Sequence, residues 1–507
     1  MEADHQSQSR AQRRIPVRVP TALSIVLALA AGLGLRLWML KQFFEVNGDS
    51  LIYGELGKNL LLHGSYAFAG TGGAMHPTLI RLPGYPLFLA LCFRLFGMEN
   101  YASAAWVQIA LDLAGCLLLA DFARRIAPTS LKTGAPGDGS LSLGWKTGAA
   151  HCTLWLAALC PFTAVYAAEP LTEAPTLFVL TLALWSAARF RERPGWGPAL
   201  TFTFAVAYAA LLRPDGALAA VALAPALLFG LKREGGRGAI PSRKLIRMAV
   251  VCLLLALAPF AAWTGRNWAV FHVFEPLAPR YANDPGQPAF PGWERWVKSW
   301  CLDYVSTYDI WWNVPGDRLD VAKLPSRAFD SPAQYAETAA LADDYNEDQV
   351  LTPELDARFA KLAEERIAAH PLRYYVWLPM GRVADMWLRP RVENLNIDLD
   401  WWVYAHHYAE TRFSWACVSL NALYLLLGFA GLCLRPRFWR AMLAYMLLRS
   451  ALLMTVEAPE TRYTLECFPM LFALGGVALY RLTYCVLASV LKLNASAGRG
   501  RLTLMLK

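Results

Sequence analysis

Long apolar runs alternate with short polar connections along most of this sequence. Ten of the runs contain roughly 16 to 23 residues, enough for an α-helix to cross a hydrocarbon core of about 30 Å. They occupy 21–40, 102–124, 147–167, 171–189, 198–213, 214–231, 245–263, 413–434, 437–455 and 466–488. The pattern therefore predicts an all-α polytopic membrane protein with about ten spans.

An eleventh run, "RLPGYPLFLALCFRLFG" at 81–97, is shorter and opens with two prolines. Charge decides its placement, because cytoplasmic connections carry an excess of Lys and Arg. If this run lies along the membrane surface, nearly all basic connections fall on the side of the basic N-terminal tail. If it crosses, to make eleven spans, every later connection changes side. We therefore predict an interfacial helix in the first outer loop, an even number of spans and two cytoplasmic termini.

This topology collects six polar motifs on the outer face. They are "NGDS", "HPTLIRLPGYP", "AEPLTEAP", "LRPDG", "GRNW" and "EAPETRY". The long polar region 264–412 falls on the same face, and it exceeds the usual length of an idle connection. Within it, "TPELDARFAKLAEERIAAHP" predicts a helix with Thr352 as N-cap and Pro371 at its end. We therefore expect the functional site on the outer face.

The predicted domain boundaries follow from these elements. They are a cytoplasmic basic tail at 1–20, an N-terminal transmembrane module at 21–263 with its first outer loop at 41–101, an α-rich extracytoplasmic loop domain at 264–412, C-terminal transmembrane helices at 413–490, and a cytoplasmic tail at 491–507.

Composition excludes two other classes of site. The net charge of +9 does not indicate nucleic-acid binding, because the basic residues form short clusters between apolar runs. Of the 10 cysteines, only Cys301 stands apart from the apolar segments. The sequence therefore predicts no disulfide framework, and it contains no CxxC spacing of the kind that binds metal ions.

Three carboxylates stand at predicted outer helix ends. Asp49 in "NGDS" is a candidate catalytic residue, although an Asx-turn or a helix N-cap explains the same position. Glu169 and Glu173 lie four residues apart in "AEPLTEAP" without a basic neighbour in sequence. Together these acids suit either a divalent cation or a division of base and orienting roles, and each Glu alone could complement a helix N-terminus.

Four arginines stand at outer helix ends as well. They are Arg81, Arg213, Arg266 and Arg462. A planar guanidinium matches a phosphate group. The structural alternative for each arginine is a side chain that snorkels to the membrane interface and anchors its helix there. Glu457 and Glu460 lie close to Arg462 in sequence, so an internal ion pair is its main structural alternative.

The ordered motifs carry a resemblance to a known superfamily. "GDSLIYGELGKNLLLHGSY", "RLPGYPLFLALCFRLFG", "AEPLTEAPTLFVL", "LLRPDG", "APFAAWTGRNWAVFHVF" and "ETRYTLECFPMLFAL" resemble the bacterial GT-C glycosyltransferases, in particular the protein-mannosyltransferase-like and aminoarabinose-transferase-like members. The resemblance implies a GT-C-like helical bundle. It also implies a polyprenyl-phosphate sugar donor, used on the periplasmic or lumenal side, and a catalytic Asp in the first outer loop, which maps onto Asp49. Many members have a second acid directly after it, where this chain has Ser50.

The predicted function is therefore transfer of a sugar from a polyprenyl-phosphate donor to an extracytoplasmic acceptor, which is lipid A, another glycan or a protein. Asp49 is the candidate base, Glu169 a second catalytic carboxylate, and the four arginines stabilise the leaving phosphate. Further candidates for substrate binding are Tyr53, His76, Tyr85, Glu173 and Tyr463. No cofactor is indicated, and participation of a divalent cation stays open. The predicted location is the bacterial inner membrane, with the site on the periplasmic face.

Two rival classes remain. A transporter or flippase of lipid-linked sugars commonly shows inverted repeats and ionisable groups near the bilayer midplane. No repeat is evident here, and the polar motifs gather at one face. A non-catalytic scaffold would explain the long loop, but not the clustered acids and arginines.

The topology can be tested by cysteine labelling in intact cells. A cysteine introduced at position 135 should be shielded from an impermeant reagent, and one at position 345 should react. Reaction at both positions would contradict the topology and scatter the proposed site over two faces.

Overall fold

The computed structural model describes residues 21–46, 48–128, 139–233, 242–395, 397–398, 401–402 and 408–504. The predicted basic tail 1–20 and position 135 lie outside these residues. The described chain is mainly helical, and its strands β1 (Ala67–Ala69) and β2 (Met75–Pro77) form one antiparallel pair.

The helices of the transmembrane parts are α1 (Thr21–Phe43), α2 (Gly48–His63), α3 (Gly84–Phe96), α4 (Tyr101–Ile126), α5 (Gly139–Ala158), α6 (Pro161–Ala168), α7 (Glu173–Glu192), α8 (Trp196–Leu212), α9 (Leu218–Arg233) and α10 (Ser242–Phe271). The long loop region holds α11 (Pro291–Lys298), α12 (Tyr304–Ser306), α13 (Pro332–Asn346), α14 (Pro353–Ala369) and α15 (Leu378–Leu388). The chain then forms α16 (Tyr408–Cys433), α17 (Trp439–Leu453) and α18 (Phe468–Leu504). Short 3-10 helices at Pro214–Ala217 and Thr461–Cys467 and π-helical turns at Thr307–Trp312 and Arg373–Trp377 complete the elements used below.

The prediction of an all-α, multi-pass membrane protein is confirmed. Among the described residues, five helices are long and apolar enough to cross a membrane. These spans are Ala22–Phe43, Tyr101–Ile126, Arg243–Phe271, Tyr408–Cys433 and Thr461–Val486. The bent pair α5 and α6 makes a sixth if it counts as one span. The predicted count of ten is not confirmed, because α8, α9 and α17 have only 17, 16 and 15 residues, and α7, with 20 residues, is not among the helices that are long and apolar enough to cross.

Two predicted elements have different boundaries from those expected. The predicted span 147–167 is divided between α5 and α6 with a bend of 53°. Pro161 occupies the first turn of α6 and lacks the N–H that would continue α5. The predicted span 245–263 continues as α10 to Phe271, so the expectation that Arg266 ends its helix is wrong.

The short apolar run near 81–97 forms α3, which has 13 residues. Its length of about 20 Å is too short to cross a hydrocarbon core of about 30 Å. One face of α3 is buried against α2, α4 and α8 through Tyr85, Leu89 and Phe93. This geometry agrees with a helix that lies beside the spans rather than crossing the membrane with them.

Glycines allow the central helices to approach closely. A Cβ added at Gly431 of α16 would lie 2.2 Å from the carbonyl oxygen of Leu474 in α18. A Cβ added at Gly476 of α18 would lie 1.9 Å from Thr153 Oγ1 in α5. Small residues at such crossings let membrane helices pack backbone against backbone.

A buried ion pair stabilises the junction of α1, α4 and α5. Arg36 of α1 is fully buried and forms a salt bridge with Asp112 of α4. Its Nη1 also donates to the carbonyl oxygen of Ala158 at 2.7 Å, where α5 ends. The guanidinium thereby binds a carbonyl group that the bend before Pro161 leaves without a helical partner. This pair fixes the start of α6, which carries Glu169 at its other end.

The loop region contains a core of its own. Trp293, Trp296 and Trp300 pack around Phe359 of α14, and Tyr345 of α13 is fully buried in the same cluster. The predicted helix after Thr352 is confirmed, since Leu355 N donates to Thr352 Oγ1 at 3.2 Å and α14 begins at Pro353. Because Tyr345 is buried, the labelling experiment should place its outer cysteine at the exposed Glu347 instead.

Candidate active site

Asp49 lies in the first turn of α2, after Gly48, whose φ of 44° favours glycine. Arg81 Nη2 donates to Asp49 Oδ1 at 3.0 Å, and Arg462 Nη2 donates to Asp49 Oδ2 at 3.4 Å. Each carboxylate oxygen therefore faces an arginine from a distant part of the chain. The structure thus brings the predicted catalytic Asp together with two of the four predicted arginines.

These arginines also determine the protonation of Asp49. Burial raises the pKa of its carboxyl group, but the positive charges of Arg462 and Arg81 outweigh burial and leave the pKa below its ordinary value. Asp49 is therefore ionised at neutral pH.

Arg462 is shared among three carboxylates. Its Nε donates to Glu460 Oε2 at 2.5 Å, and its Nη1 lies 3.7 Å from Glu173 Oε1, in addition to the contact with Asp49. The internal pair with Glu460, expected as the structural alternative, therefore coexists with the contact to the candidate catalytic residue. Tyr463 donates its hydroxyl to Glu460 Oε1 at 2.6 Å and so holds that acid in place.

A buried network of charged side chains adjoins Arg462 through their common neighbour Glu173. Arg213 lies 3.1 Å from Glu173 Oε1 and 3.2 Å from Glu466 Oε1. Arg449 of α17 is fully buried, pairs with Asp215 and lies 3.1 Å from Glu466. Sequence reasoning missed Arg449, although an arginine in the interior of the apolar run 437–455, well past Arg437 and Arg440 at its start, was a usable signal.

The whole group is nearly balanced in formal charge. Its four cations are Arg81, Arg213, Arg449 and Arg462, and its five carboxylates are Asp49, Glu173, Asp215, Glu460 and Glu466. Every guanidinium of the group already has a carboxylate partner, so an anionic ligand must compete for it.

Glu169 occupies a different environment at the end of α6. Asn394 Nδ2 donates to both of its carboxylate oxygens at 2.8 Å, and no guanidinium is paired with it among the described ion pairs. Gln108 Nε2 donates to the Glu169 carbonyl oxygen at 2.5 Å, and Tyr85 donates its hydroxyl to Gln108 Oε1 at 2.7 Å. Sequence reasoning missed Gln108 and Asn394.

Burial dominates the protonation of Glu169. It raises the pKa of the carboxyl group to about 8, and the hydrogen bond from Asn394 only partly opposes the shift. The two predicted catalytic carboxylates therefore differ at neutral pH, because Asp49 is charged and Glu169 is mostly protonated.

A cavity of about 870 Å³ joins these groups. Asp49, Glu169 and Arg462 line it from the transmembrane helices, and Glu393 and Asn394 line it from the segment after α15. From the loop region, four side chains line it and form its aromatic wall: Tyr304, Tyr308, Trp311 and Trp312.

An apolar crevice of about 110 Å³ adjoins this cavity. Phe43 at the end of α1 lines both spaces. The crevice is otherwise lined by Trp38, Met39, Pro161, Phe162, Val165, Arg391, Leu395, Phe413 and Cys417. A polar cavity and an apolar crevice therefore meet at the end of a membrane helix.

The remaining candidates lie beside the group or apart from it. The Tyr53 ring lies 6.0 Å from the Arg81 guanidinium and 5.1 Å from the Tyr85 ring. His76 lies on the exposed strand β2, and its partner in the register is Phe68. Neither His76 nor Arg266 lines the cavity.

Arg266 binds the backbone of the first outer loop instead. It donates to the carbonyl oxygens of Thr78 and Tyr66, both at 2.7 Å. Its guanidinium also lies over the rings of Tyr66, Trp263 and Phe271. In this structure Arg266 ties that loop to α10.

Within the described residues, no group of three or more His, Cys, Asp or Glu side chains has an arrangement that could hold a metal ion.

No protein-family model matches the sequence, and no curated protein matches it. Among solved structures, the chain resembles the oligosaccharyltransferase AglB of Archaeoglobus fulgidus in complex with an inhibitory peptide and a dolichol-phosphate, at 12% identity over 94% of this chain and 52% of that one, with a TM-score of 0.47. It also resembles ArnT of Cupriavidus metallidurans bound to undecaprenyl phosphate, at 16% identity over 90% of this chain and 78% of that one, with a TM-score of 0.35. Both neighbours are GT-C superfamily members, the superfamily that the motifs resemble. The chain spans about half the length of the archaeal enzyme.

The protonation of Glu169 can be tested by infrared spectroscopy of the purified protein. The spectrum should contain a protonated carboxyl band that disappears as the pH rises through about 8, because burial raises the pKa of Glu169. The band should be absent from Glu169→Gln and retained in Asp49→Asn, because Asp49 is already ionised. A Glu169 that titrates in the range of an exposed glutamate would contradict the assignment.

Proposed function

We propose that this protein transfers a sugar from a polyprenyl-phosphate donor to an acceptor on the outer face of the membrane. One observation carries the proposal: Asp49 and Arg462 line a polar cavity that meets an apolar crevice at Phe43, and Arg81 pairs with Asp49 beside it. A lipid-linked sugar has an anionic headgroup joined to an apolar chain. It therefore requires a polar and an apolar space that adjoin at the membrane boundary.

Arg462 and Arg81 would stabilise the leaving phosphate. Cleavage of the bond between sugar and phosphate places additional charge on the phosphate oxygens. Guanidinium groups stabilise that charge without a strong general acid. Arg213 contacts Glu173 and Glu466 rather than Asp49, which favours a positioning role for it.

The donor phosphate would bind Arg462 by displacing a carboxylate that contacts it. Because Arg462 already contacts three carboxylates, a bound phosphate takes the place of at least one of them. The contact with Asp49 is the longer of the two hydrogen bonds, at 3.4 Å against 2.5 Å for Glu460. We infer that donor binding draws Arg462 away from Asp49.

This exchange would activate Asp49 as a base. The positive charges of Arg462 and Arg81 hold its pKa down, and a carboxylate with a very low pKa is a weak base. Loss of one arginine raises the affinity of Asp49 for the proton of an acceptor hydroxyl. Donor binding and base activation are thereby coupled through one side chain.

Glu169 would orient a substrate rather than remove a proton at neutral pH. A protonated carboxyl group can donate a hydrogen bond to a sugar or acceptor oxygen, while Asn394 holds its other oxygen. The nearby aromatic wall offers flat apolar surfaces to the same substrate. Lipid, glycan and protein hydroxyls all fit this chemistry, and the bacterial inner membrane, with the cavity on the periplasmic side, is the location we propose.

The transporter alternative is not favoured. The cluster gathers at helix ends on one side of the bundle: the ends of α1, α6 and α8 and the starts of α2, α7 and α18. A transporter of lipid-linked sugars would place its binding groups near the bilayer midplane.

Asp49→Asn should lower the rate of sugar transfer about 100- to 10,000-fold, because the amide keeps the shape but cannot accept a proton. The assay uses the lipid-linked sugar that accumulates in a deletion strain, identified by mass spectrometry, with purified protein in liposomes. Glu55→Gln is a matched control on α2, because Glu55 only accepts a hydrogen bond from Ala69 N. Near-normal transfer by Asp49→Asn would exclude Asp49 as the base.

Arg462→Ala should weaken binding of polyprenyl phosphate and lower turnover, and Arg462→Lys should lower turnover less, because Lys keeps the charge but loses the planar fork. The Ala variant also leaves Glu460 without its partner, so the double variant Arg462→Ala/Glu460→Gln separates lost binding from lost stability. Arg266→Ala serves as the contrast, with a lower melting temperature and retained phosphate binding in the protein that stays folded. Normal transfer by both Arg462 variants would refute the phosphate role.

A further inference from the structure

The segment 372–388, which contains a π-helical turn and α15, exposes a continuous apolar stripe. Its members recur at every fourth position, so successive members are neighbours on the helix surface and the stripe winds around the helix by about 40° at each step. They are Leu372, Val376, Met380, Ala384 and Leu388. Four of the five are large, with exposed fractions of 66% for Leu372, 37% for Val376, 48% for Met380 and 62% for Leu388. The stripe contains no polar side chain.

The opposite face carries Arg382, which is turned inward. Arg382 is fully buried and donates to the carbonyl oxygens of Lys298 at 3.1 Å and Cys301 at 2.9 Å. Arg389, just after α15, is 6% exposed and donates to Glu393 Oε1 at 3.1 Å. A helix on a water-facing surface shows the reverse arrangement, with its apolar side inward.

Aromatic side chains mark one end of the stripe. Tyr375 and Trp377 are 64% and 63% exposed. Tyr and Trp side chains concentrate where a membrane meets water, because their rings combine an apolar body with a polar atom. Arg373, in the same turn, binds Asp330 of the loop region through both terminal nitrogens, at 2.6 and 2.8 Å. The polar contacts of this end are thus on the side of the loop region.

The segment is attached directly to membrane helices. Trp387 Nε1 donates to Ser450 Oγ of α17 at 3.1 Å. Asn421 of α16, which is one of the described spans, donates to the Trp387 carbonyl oxygen at 2.7 Å. The stripe therefore continues the apolar surface of the bundle.

We propose that residues 372–388 lie in the plane of the outer membrane leaflet, with the stripe in contact with lipid. A helical segment of this length extends about 25 Å, less than a hydrocarbon core of about 30 Å, so it is too short for a span. The occupant of the stripe is bilayer lipid, because the stripe adjoins spans and the charges of the segment point away from it. The assignment does not rest on the proposed sugar transfer.

Lipid contact at this position sets the height of the cavity above the bilayer. Glu393 and Asn394, which line the cavity, follow directly after the segment. Arg382 binds the backbone just before the turn that carries Tyr308 and Trp312. The segment therefore connects a lipid-facing surface to two parts of the cavity wall.

Spin labels can test the proposal in the full-length protein. Single cysteines at Val376, Met380 and Ala384 are labelled after the exposed Cys433 and Cys485 have been replaced by Ala, and the protein is reconstituted in phosphatidylethanolamine–phosphatidylglycerol liposomes. Collisions with oxygen should exceed collisions with a water-soluble nickel chelate at all three positions. Ala340, an exposed alanine of α13, is the matched control and should show the opposite preference.

Each other outcome overturns the proposal in a distinct way. Free access of the chelate would place the stripe in water, and protection from both reagents would indicate cover by protein, such as a second copy of the chain.

Equal depth of the three labels is expected for a helix in the membrane plane. A depth that changes by about 6 Å at each four-residue step would mean that the segment crosses the membrane. These readings are independent of whether the protein transfers sugar.

Discussion

A charge inside a membrane-embedded bundle requires a partner of opposite sign, because neither lipid nor protein can replace its hydration. Arg36 and Asp112 satisfy this requirement between α1 and α4, and the same guanidinium binds the broken end of α5. Arg449 satisfies it between α17 and the acids Asp215 and Glu466. The paired charges hold the helix ends that surround the cavity in fixed positions, so the geometry of the cavity depends on them.

The same requirement explains why the cavity charges are shared. Arg462 contacts Glu460, Glu173 and Asp49, and each of these acids comes from a different helix end. An anionic headgroup that enters this group replaces one interaction of Arg462 with another instead of adding an unpaired charge. The cost of binding would be lowered in this way, and the released carboxylate would become a better proton acceptor. Recognition of the phosphate and activation of the acceptor would then be two consequences of one exchange.

Two parts of the cavity wall are joined by contacts between the loop region and the turn before α18. Thr307 donates its hydroxyl to the Pro459 carbonyl oxygen at 3.1 Å, and Lys298 Nζ lies 3.3 Å from Glu457 Oε1. These contacts place the aromatic wall of the cavity next to the turn that contains Arg462. The buried tryptophan cluster around Phe359 supports the wall from behind. A loop region with its own core can therefore hold one side of a cavity whose other side is made by membrane helices.

The sequence alone determined the helical membrane class, because long apolar runs have few other stable solutions in lipid. It also placed Asp49, Glu169, Glu173 and Arg213 correctly at helix ends, and it identified Arg81 and Arg462 as candidates. It did not determine the break at Pro161, the continuation of α10 past Arg266, or which helices are long enough to span. These depend on packing and on hydrogen bonds between distant residues.

Only the tertiary structure decided which candidates meet. Asp49 and Arg462 are 413 residues apart in sequence, and no local pattern records that their side chains touch. Arg266 is also an arginine predicted to lie at an outer helix end, yet it binds the backbone of the first outer loop. Glu169 and Asp49 are both carboxylic acids near a membrane boundary. Their opposite protonation at neutral pH follows from their surroundings: burial raises the pKa of Glu169 against the hydrogen bond from Asn394, whereas Arg462 and Arg81 outweigh burial at Asp49 and lower its pKa.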